Sequence, residues 1–109
     1  MSRVIEVGDI FATRYADFFQ VVRATAKTVT VRPIASRFVR HIDQWEREYL
    51  PVPGEFANYP CWSRETCERG RRCTVRDYTV AKDMPQIKVD DHETAYLWDG
   101  RPSVLDTYN

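Results

Sequence analysis

The chain carries far more β-branched side chains than helix-favouring ones. It contains 12 Val, 5 Ile and 9 Thr, against only 3 Leu and 8 Ala. A branched Cβ loses rotamer freedom in a helix but packs well on a pleated surface. We therefore predict a mostly β protein, built as a single small bent antiparallel sheet or as an SH3-like, partly closed barrel.

The length allows one hydrophobic core. A chain of 109 residues and 12.8 kDa buries about two thirds of the surface that it exposes when unfolded. We predict a single β domain over residues 1–109, with an irregular insertion rich in Arg and Cys at about 54–72.

Alternating segments near the N-terminus predict a hairpin. Asp17–Arg23 is apolar on both faces, as in a central strand, and Lys27–Ile34 alternates Val with Thr and Arg. The link 24–26 is short, which favours direct antiparallel pairing. Gly8-Asp9 precedes Ile10-Phe11 and indicates a turn that leads into a first strand.

A second hairpin is predicted at the C-terminus. Thr94–Trp98 and Arg101–Leu105 flank Asp99-Gly100, and an Asp-Gly pair suits a two-residue turn. Pro102 lacks the N–H that a ladder needs, so we expect the last strand to lie at an edge of the sheet.

Residues 37–50 fit two structures. Four apolar side chains recur at helical spacing: Phe38, Ile42, Trp45 and Tyr49. The same segment also fits two short strands that meet near Asp43-Gln44, and we favour strands because the neighbouring segments are β. Further strands are predicted at Cys73–Ala81 and Ile87–Val89.

The charges balance overall but not locally. Sixteen basic and 16 acidic residues give a net charge of zero, which argues against a polyanionic DNA mimic and against an indiscriminate DNA-coating protein. Residues 61–76 carry five Arg and two Glu, whereas residues 77–109 are acidic. No apolar run approaches the roughly 20 residues of a membrane helix, and no signal-peptide layout is visible, so we expect a cytoplasmic protein.

Both ends of the chain resemble a group of small proteins carried by bacteriophages, prophages and other mobile elements. The resemblance lies in Val7–Phe11, Phe18–Val21 and Thr25–Val29, and in the tail segments Ala95–Pro102 and Thr107–Asn109. The polar Tyr-Asp-Gln-Thr-Asn stretch usual in that group is replaced here by Thr13–Ala16. The resemblance implies a mobile-element accessory protein, a class that includes inhibitors of CRISPR and other host defences.

The cysteines leave three alternatives open. Cys61, Cys67 and Cys73 are each six residues apart, whereas zinc ligands usually occur in pairs two to four residues apart. A labile disulfide is a second alternative, although disulfides are rare in the cytosol. We favour free thiols in or near the core.

An arginine-rich segment is the main candidate for partner binding. It comprises Trp62, Arg64, Arg69, Arg71, Arg72 and Arg76. Guanidinium groups bind phosphate or carboxylate and an indole offers a stacking face, so the segment suits an acidic protein groove or a nucleic acid. The alternative is a solvated loop in which these arginines pair locally with Glu65 and Glu68. Trp45 or Tyr49 is expected to act as an exposed aromatic anchor.

No catalytic motif is visible, and no cofactor or metal is predicted. Asp90–Glu93 could bind a divalent cation, but adjacent strand residues point to opposite faces, so we expect an exposed acidic turn. A nuclease motif fails because Gln86 stands where an acid should precede Lys88. Serine or cysteine nucleophile elbows and glycine-rich phosphate loops are also missing.

These observations favour a binding protein over an enzyme. The primary hypothesis is a stoichiometric inhibitor that binds a host protein or ribonucleoprotein complex, such as a CRISPR effector, through protein–protein contacts. A nucleic-acid-binding β-barrel that uses the same arginines is the second hypothesis. The third is a metal-dependent enzyme that uses Asp90, Asp91 or His92.

Overall fold

The computed structural model describes residues 5–76 and 85–106. Its elements are β1 (Ile10–Ala12), β2 (Phe18–Ala24), β3 (Thr28–His41), β4 (Glu46–Phe56), α1 (Arg64–Arg69), β5 (Arg71–Thr74), β6 (Gln86–Lys88), β7 (Thr94–Leu97) and β8 (Ser103–Asp106). All eight strands of these residues belong to one antiparallel sheet in the order β6-β7-β1-β2-β3-β4-β8, with β5 paired to β3. Across these described residues, the sheet is not closed into a barrel. The predicted mostly β protein with an antiparallel sheet is confirmed.

The N-terminal hairpin forms as predicted. β2 pairs antiparallel with β3, from Phe18 opposite Ile34 to Ala24 opposite Val29, with a register shift between Val21 and Arg23. Both faces of β2 are buried at its start, since Phe18 and Phe19 are each almost inaccessible. β3 continues seven residues beyond the predicted end, because a further strand pairs with its C-terminal half.

One edge of β3 is divided between two partners. β5 pairs with residues 28–31, and β4 pairs with the part from Ile34 to His41. Between these ladders the chain leaves the sheet, where the Ala57 N–H donates to the Pro33 carbonyl at 2.9 Å. It returns to β3 at β5, after α1.

The main core lies on one side of the sheet, here called the inner face. Its fully buried side chains are Phe11, Phe19, Val21, Val29, Val31, Ile87, Val89 and Ala95. Tyr59 and Trp62, from the segment before α1, cover this face. A smaller cluster of Ile10, Phe18 and Ile34, with Tyr49 and Trp98 packed against it, occupies the opposite or outer face.

The segment expected to be irregular contains regular structure at both ends and in α1, whereas residues 57–63 belong to no helix or strand. Residues 54–56 end β4, and α1 occupies Arg64–Arg69. The Ser63 side chain caps the helix by accepting the Thr66 N–H at 3.1 Å, and Gly70 follows at a φ of 90°. A serine cap before a six-residue segment and a glycine after it are ordinary helix boundaries.

The predicted C-terminal hairpin is wrong in its pairing. Both strands exist, but β7 pairs with β1 on one side and β6 on the other, whereas β8 pairs with β4. Since both edges of β7 are occupied, β8 has no place beside it. The prediction that the last strand is an edge strand is confirmed, because β8 ends the sheet order.

Residues 37–50 form strands, as we favoured, with bends at residues 42–45 between β3 and β4. Together with β8 they make a three-stranded extension, here called the wing, which comprises residues 36–51 and Ser103–Asp106. The predicted strand at Cys73–Ala81 corresponds to β5, and its part from residue 77 onward lies outside the described residues.

Candidate functional site

The sequence-predicted contact residues do not form one surface. Trp45 and Tyr49 belong to the wing, whereas the arginines lie at the other end of β3. Tyr49 pairs with Phe38, and Arg72 pairs with Thr30. Eight residues of extended strand separate Phe38 from Thr30, which corresponds to about 26 Å.

Two of the five arginines pair within α1. Arg64 Nε lies 3.3 Å from a Glu68 carboxylate oxygen, and Arg69 Nη1 lies 3.0 Å from one of Glu65. All four side chains are largely exposed, and exposed i,i+4 pairs contribute little to stability. This is the local pairing that the sequence offered as the alternative to partner binding.

The other three arginines follow α1 along the sheet. Arg71 pairs with Val31 at the inner face and is half-buried, whereas Arg72 is exposed on the outer face opposite Thr30. Arg76 forms a single bridge with Gln86, with reciprocal backbone hydrogen bonds of 2.8 Å. Of Arg71 and Arg72, only Arg72 is therefore classed as exposed.

Trp62 is a core residue. The prediction that it lies on a contact surface is therefore wrong. Its side chain is 8% exposed, and its Nε1–H donates to the Val89 carbonyl at 2.8 Å. Its ring centroid lies 5.3 Å from that of Phe19 and 5.7 Å from that of Tyr59. The indole thus offers no stacking face to a partner.

The wing displays large apolar side chains. Phe38 is 46% exposed, Ile42 and Trp45 are each 44% exposed, and Val104 is 42% exposed. The Asp43 carboxylate fixes the turn by accepting the Trp45 N–H at 2.7 Å and the Glu46 N–H at 2.9 Å. This turn holds Ile42 and Trp45 at the end of the wing, far from the core.

Pairs across β3 and β4 stabilise the wing. The Phe38 ring centroid lies 5.9 Å from that of Tyr49 and 5.0 Å from that of His41. On the opposite side, Arg40 donates two hydrogen bonds to Glu48, at 3.0 and 3.2 Å. Tyr49 is half-buried and packs against the outer-face cluster, which connects the wing to the rest of the sheet.

A cavity of about 550 Å³ has an acidic lining. It is bordered by Tyr15, Asp17, Tyr59, Pro60, Cys61 and residues 90–93. Burial and the Glu93 charge raise the pKa of Asp17, whereas the His92 N–H lowers the pKa of Asp90. Within residues 5–76 and 85–106, no three His, Cys, Asp or Glu side chains are arranged to hold a metal ion.

The three cysteines are free thiols. Cys61 is exposed, and Cys67 and Cys73 are buried. The Cys67 sulfur accepts the Tyr59 N–H at 3.3 Å, and burial raises the pKa of Cys73. Buried thiols of this kind act as small apolar side chains.

Sequence reasoning overlooked Arg32. Its Nε donates to the Cys67 carbonyl at 3.0 Å, near the end of α1, and its guanidinium carbon lies 3.9 Å from the Phe56 ring centroid. Strand alternation gives a signal, because Arg32 must face away from the buried Val31. The partners could not be inferred, since they lie 24 and 35 residues away in sequence.

Comparison with protein-family models, curated proteins and solved structures finds no match to this chain. In the part of the chain that the structure describes, no helix has the length and apolar character needed to span a membrane.

Proposed function

We propose that this protein is a mobile-element-encoded binding protein that inhibits a host defence complex stoichiometrically. It acts in the host cytoplasm by docking its wing against a protein component of that complex, such as a CRISPR effector subunit. The resemblance of both chain ends to small phage and prophage proteins supports the biological setting.

One observation carries the docking proposal. Among residues 5–76 and 85–106, eight large hydrophobic side chains are notably exposed, and four of them belong to the wing, namely Phe38, Ile42, Trp45 and Val104. Clustered exposed apolar side chains on a soluble protein are typical of interaction sites. Phe38 and Val104 lie on opposite sides of the wing, so a cleft on the partner suits it better than a flat surface.

Trp45 is the proposed anchor of this interface. Trp, Tyr and Arg are enriched in binding hot spots, and Trp buries a large area with only two rotatable side-chain bonds. Trp45 lies at the exposed turn. Arg47 follows two residues later in β4, and its side chain lies on the same side of the wing as that of Tyr49. A wing inserted in this way inhibits by excluding substrate, without any chemical step.

The test uses purified defence complexes that have been treated with nuclease. We expect one complex to bind the protein at one equivalent and to lose activity in proportion to occupancy. Trp45→Ala is expected to weaken binding by about 30-fold, the loss of a typical hot spot of about 2 kcal/mol. Calorimetric titration measures both the affinity and the stoichiometry.

Val7→Ala is the matched control, because Val7 is 65% exposed but lies outside the wing. Its affinity is expected to equal that of the unmodified protein. Equal affinities for Trp45→Ala and Val7→Ala would contradict docking through the wing. Catalytic inhibition far below one equivalent would contradict the stoichiometric mechanism.

A further inference from the structure

Charge is distributed unequally between the two faces of the sheet. Paired positions on the outer face carry six cationic side chains, five in strands and one at the isolated bridge to Gln86, namely Arg23, Arg32, Arg47, Arg72, Lys88 and Arg76. Among the described residues, the carboxylates at paired strand positions all lie on the opposite side of the ladder, at Glu46, Glu48 and Asp106. In a chain of zero net charge, the charged residues at the paired positions of this sheet face are thus all cationic.

The cations are closest together at the β2-β3-β5 end. Arg23, Thr30 and Arg72 form one row across three adjacent strands, here called the basic row. Neighbouring strands lie about 4.8 Å apart, so the Cα atoms of the two arginines are about 10 Å apart. Both side chains are exposed, and neither pairs with a carboxylate of residues 5–76 or 85–106.

Hydroxyl groups and an aromatic ring flank the basic row. Thr28 and Thr74 form the next pair on one side. On the other side, Arg32 is fixed by the Cys67 carbonyl at 3.0 Å and stacks on Phe56. Phe56 remains 40% exposed, so the row ends beside a flat stacked surface.

We propose that the basic row and Phe56 bind single-stranded nucleic acid. Arg23 and Arg72 hold successive backbone phosphates, since guanidinium groups match phosphate geometry with two parallel hydrogen bonds. Thr30, between them, donates a hydroxyl hydrogen bond. A base stacks on the exposed part of the Phe56–Arg32 pair, which requires a base that is not held within a duplex.

The combination of groups distinguishes this ligand from other anions. An acidic peptide or a lipid headgroup would use the arginines but has no planar base to stack on Phe56. A duplex would use the arginines but keeps its bases paired and stacked internally. Only a single strand uses the charges, the hydroxyl and the aromatic ring together.

The experiment measures fluorescence anisotropy of labelled 20-nucleotide oligo-dT and oligo-U as a function of salt. Arg23→Gln and Arg72→Gln are each expected to weaken binding by about tenfold. Each is also expected to reduce the slope of log affinity against log salt by about 0.7, the value for one phosphate contact of a single strand. Phe56→Leu is expected to weaken binding without changing that slope.

Arg37→Gln is the matched control, because Arg37 is exposed on the other side of β3, paired with Leu50. It and Trp45→Ala are expected to leave the oligonucleotide affinity unchanged, so this test does not depend on wing docking. The proposal is overturned if the oligonucleotides do not bind at low salt. It is also overturned if polyglutamate or duplex DNA competes equally, or if Phe56→Leu has no effect.

Discussion

The two halves of β3 belong to one continuous strand but have opposite surroundings. In its N-terminal half, Val29 and Val31 are at most 1% exposed and belong to the core, whereas Phe38 in its C-terminal half is 46% exposed. A strand therefore continues beyond the hydrophobic core that it helps to build. The apolar side chains of the wing contribute little burial to folding, which leaves them available for a partner.

The wing persists because local interactions replace core burial. An isolated two-stranded hairpin is only marginally stable in water, and a third strand increases its stability. β8 supplies that strand, the Arg40–Glu48 pair fixes the register, and the Asp43 carboxylate organises the turn. These interactions are individually weak, so the wing is expected to be the less stable half.

The largest expected effect on stability comes from removing an aromatic side chain of the core, in comparison with one of the wing. Phe19→Ala removes a fully buried ring that contacts Tyr59 and Trp62, and is expected to reduce the free energy of unfolding by about 3–5 kcal/mol. Phe38→Ala in the wing is expected to reduce the free energy of unfolding by less than about 1 kcal/mol. Urea denaturation followed by tryptophan fluorescence measures both values. Similar losses for the two variants would show that the wing contributes to the core after all.

Gly70→Ala is expected to have the next largest effect. An added Cβ would lie 2.8 Å from Thr30 Cγ2 and 3.0 Å from the Val31 carbonyl oxygen, at a φ of 90°. The strained backbone and the overpacking together predict a loss of roughly 2–4 kcal/mol in unfolding free energy.

Gly100→Ala is the control for Gly70→Ala. Gly100 also has a positive φ, of 87°, but an added Cβ would meet nothing within 4 Å. We expect only the backbone penalty of about 1–2 kcal/mol. Equal losses for the two variants in thermal denaturation would show that β5 can move away from β3 at no cost.

The smallest expected effect concerns pH and the half-buried Asp17. Burial and the Glu93 carboxylate raise its pKa above the ordinary value of 3.8, against a smaller opposing effect of the Thr13 hydrogen bond. Its ionised form therefore destabilises the folded state at neutral pH. As the pH falls through the raised pKa, the folded state binds a proton first, and the Asp17 contribution to stability rises until about pH 3.8.

Asp17→Asn is expected to remove this pH dependence and to increase stability at pH 7 by less than about 1 kcal/mol. The measurement is the difference in melting temperature between the two proteins from pH 7 to pH 4. Asp90 has a lowered pKa, so its stabilising contribution is lost as the pH falls. Both proteins contain Asp90, so this loss cancels in the difference between their melting temperatures. A difference in melting temperature that widens as the pH falls would contradict a raised pKa of Asp17.

Periodicity and turn residues predicted the strands better than their partners. The β2–β3 hairpin was predictable because alternation and a short link specify adjacent pairing. The strands β7 and β8 were predictable for the same reasons, but Asp99-Gly100 suggested the wrong pairing. Nothing in the local sequence shows that β1 and β6 already occupy both edges of β7.

The candidate site was predictable only in part. Trp45 is exposed at the end of the wing, as the aromatic-anchor prediction requires. Trp62 could not be placed from sequence, because its burial depends on Phe19 and on the Val89 carbonyl 27 residues away. Ser63 and Gly70 are cap signals in the sequence from which α1 could have been predicted.

Side-chain branching and alternation act over a few residues, so they were enough to predict the β class of this protein and the approximate positions of most described strands. Strand pairing, the burial of individual aromatic residues and the division of charge between the faces of the sheet emerged only in the folded chain. These properties depend on contacts between segments far apart in the chain, whose energies no local pattern contains.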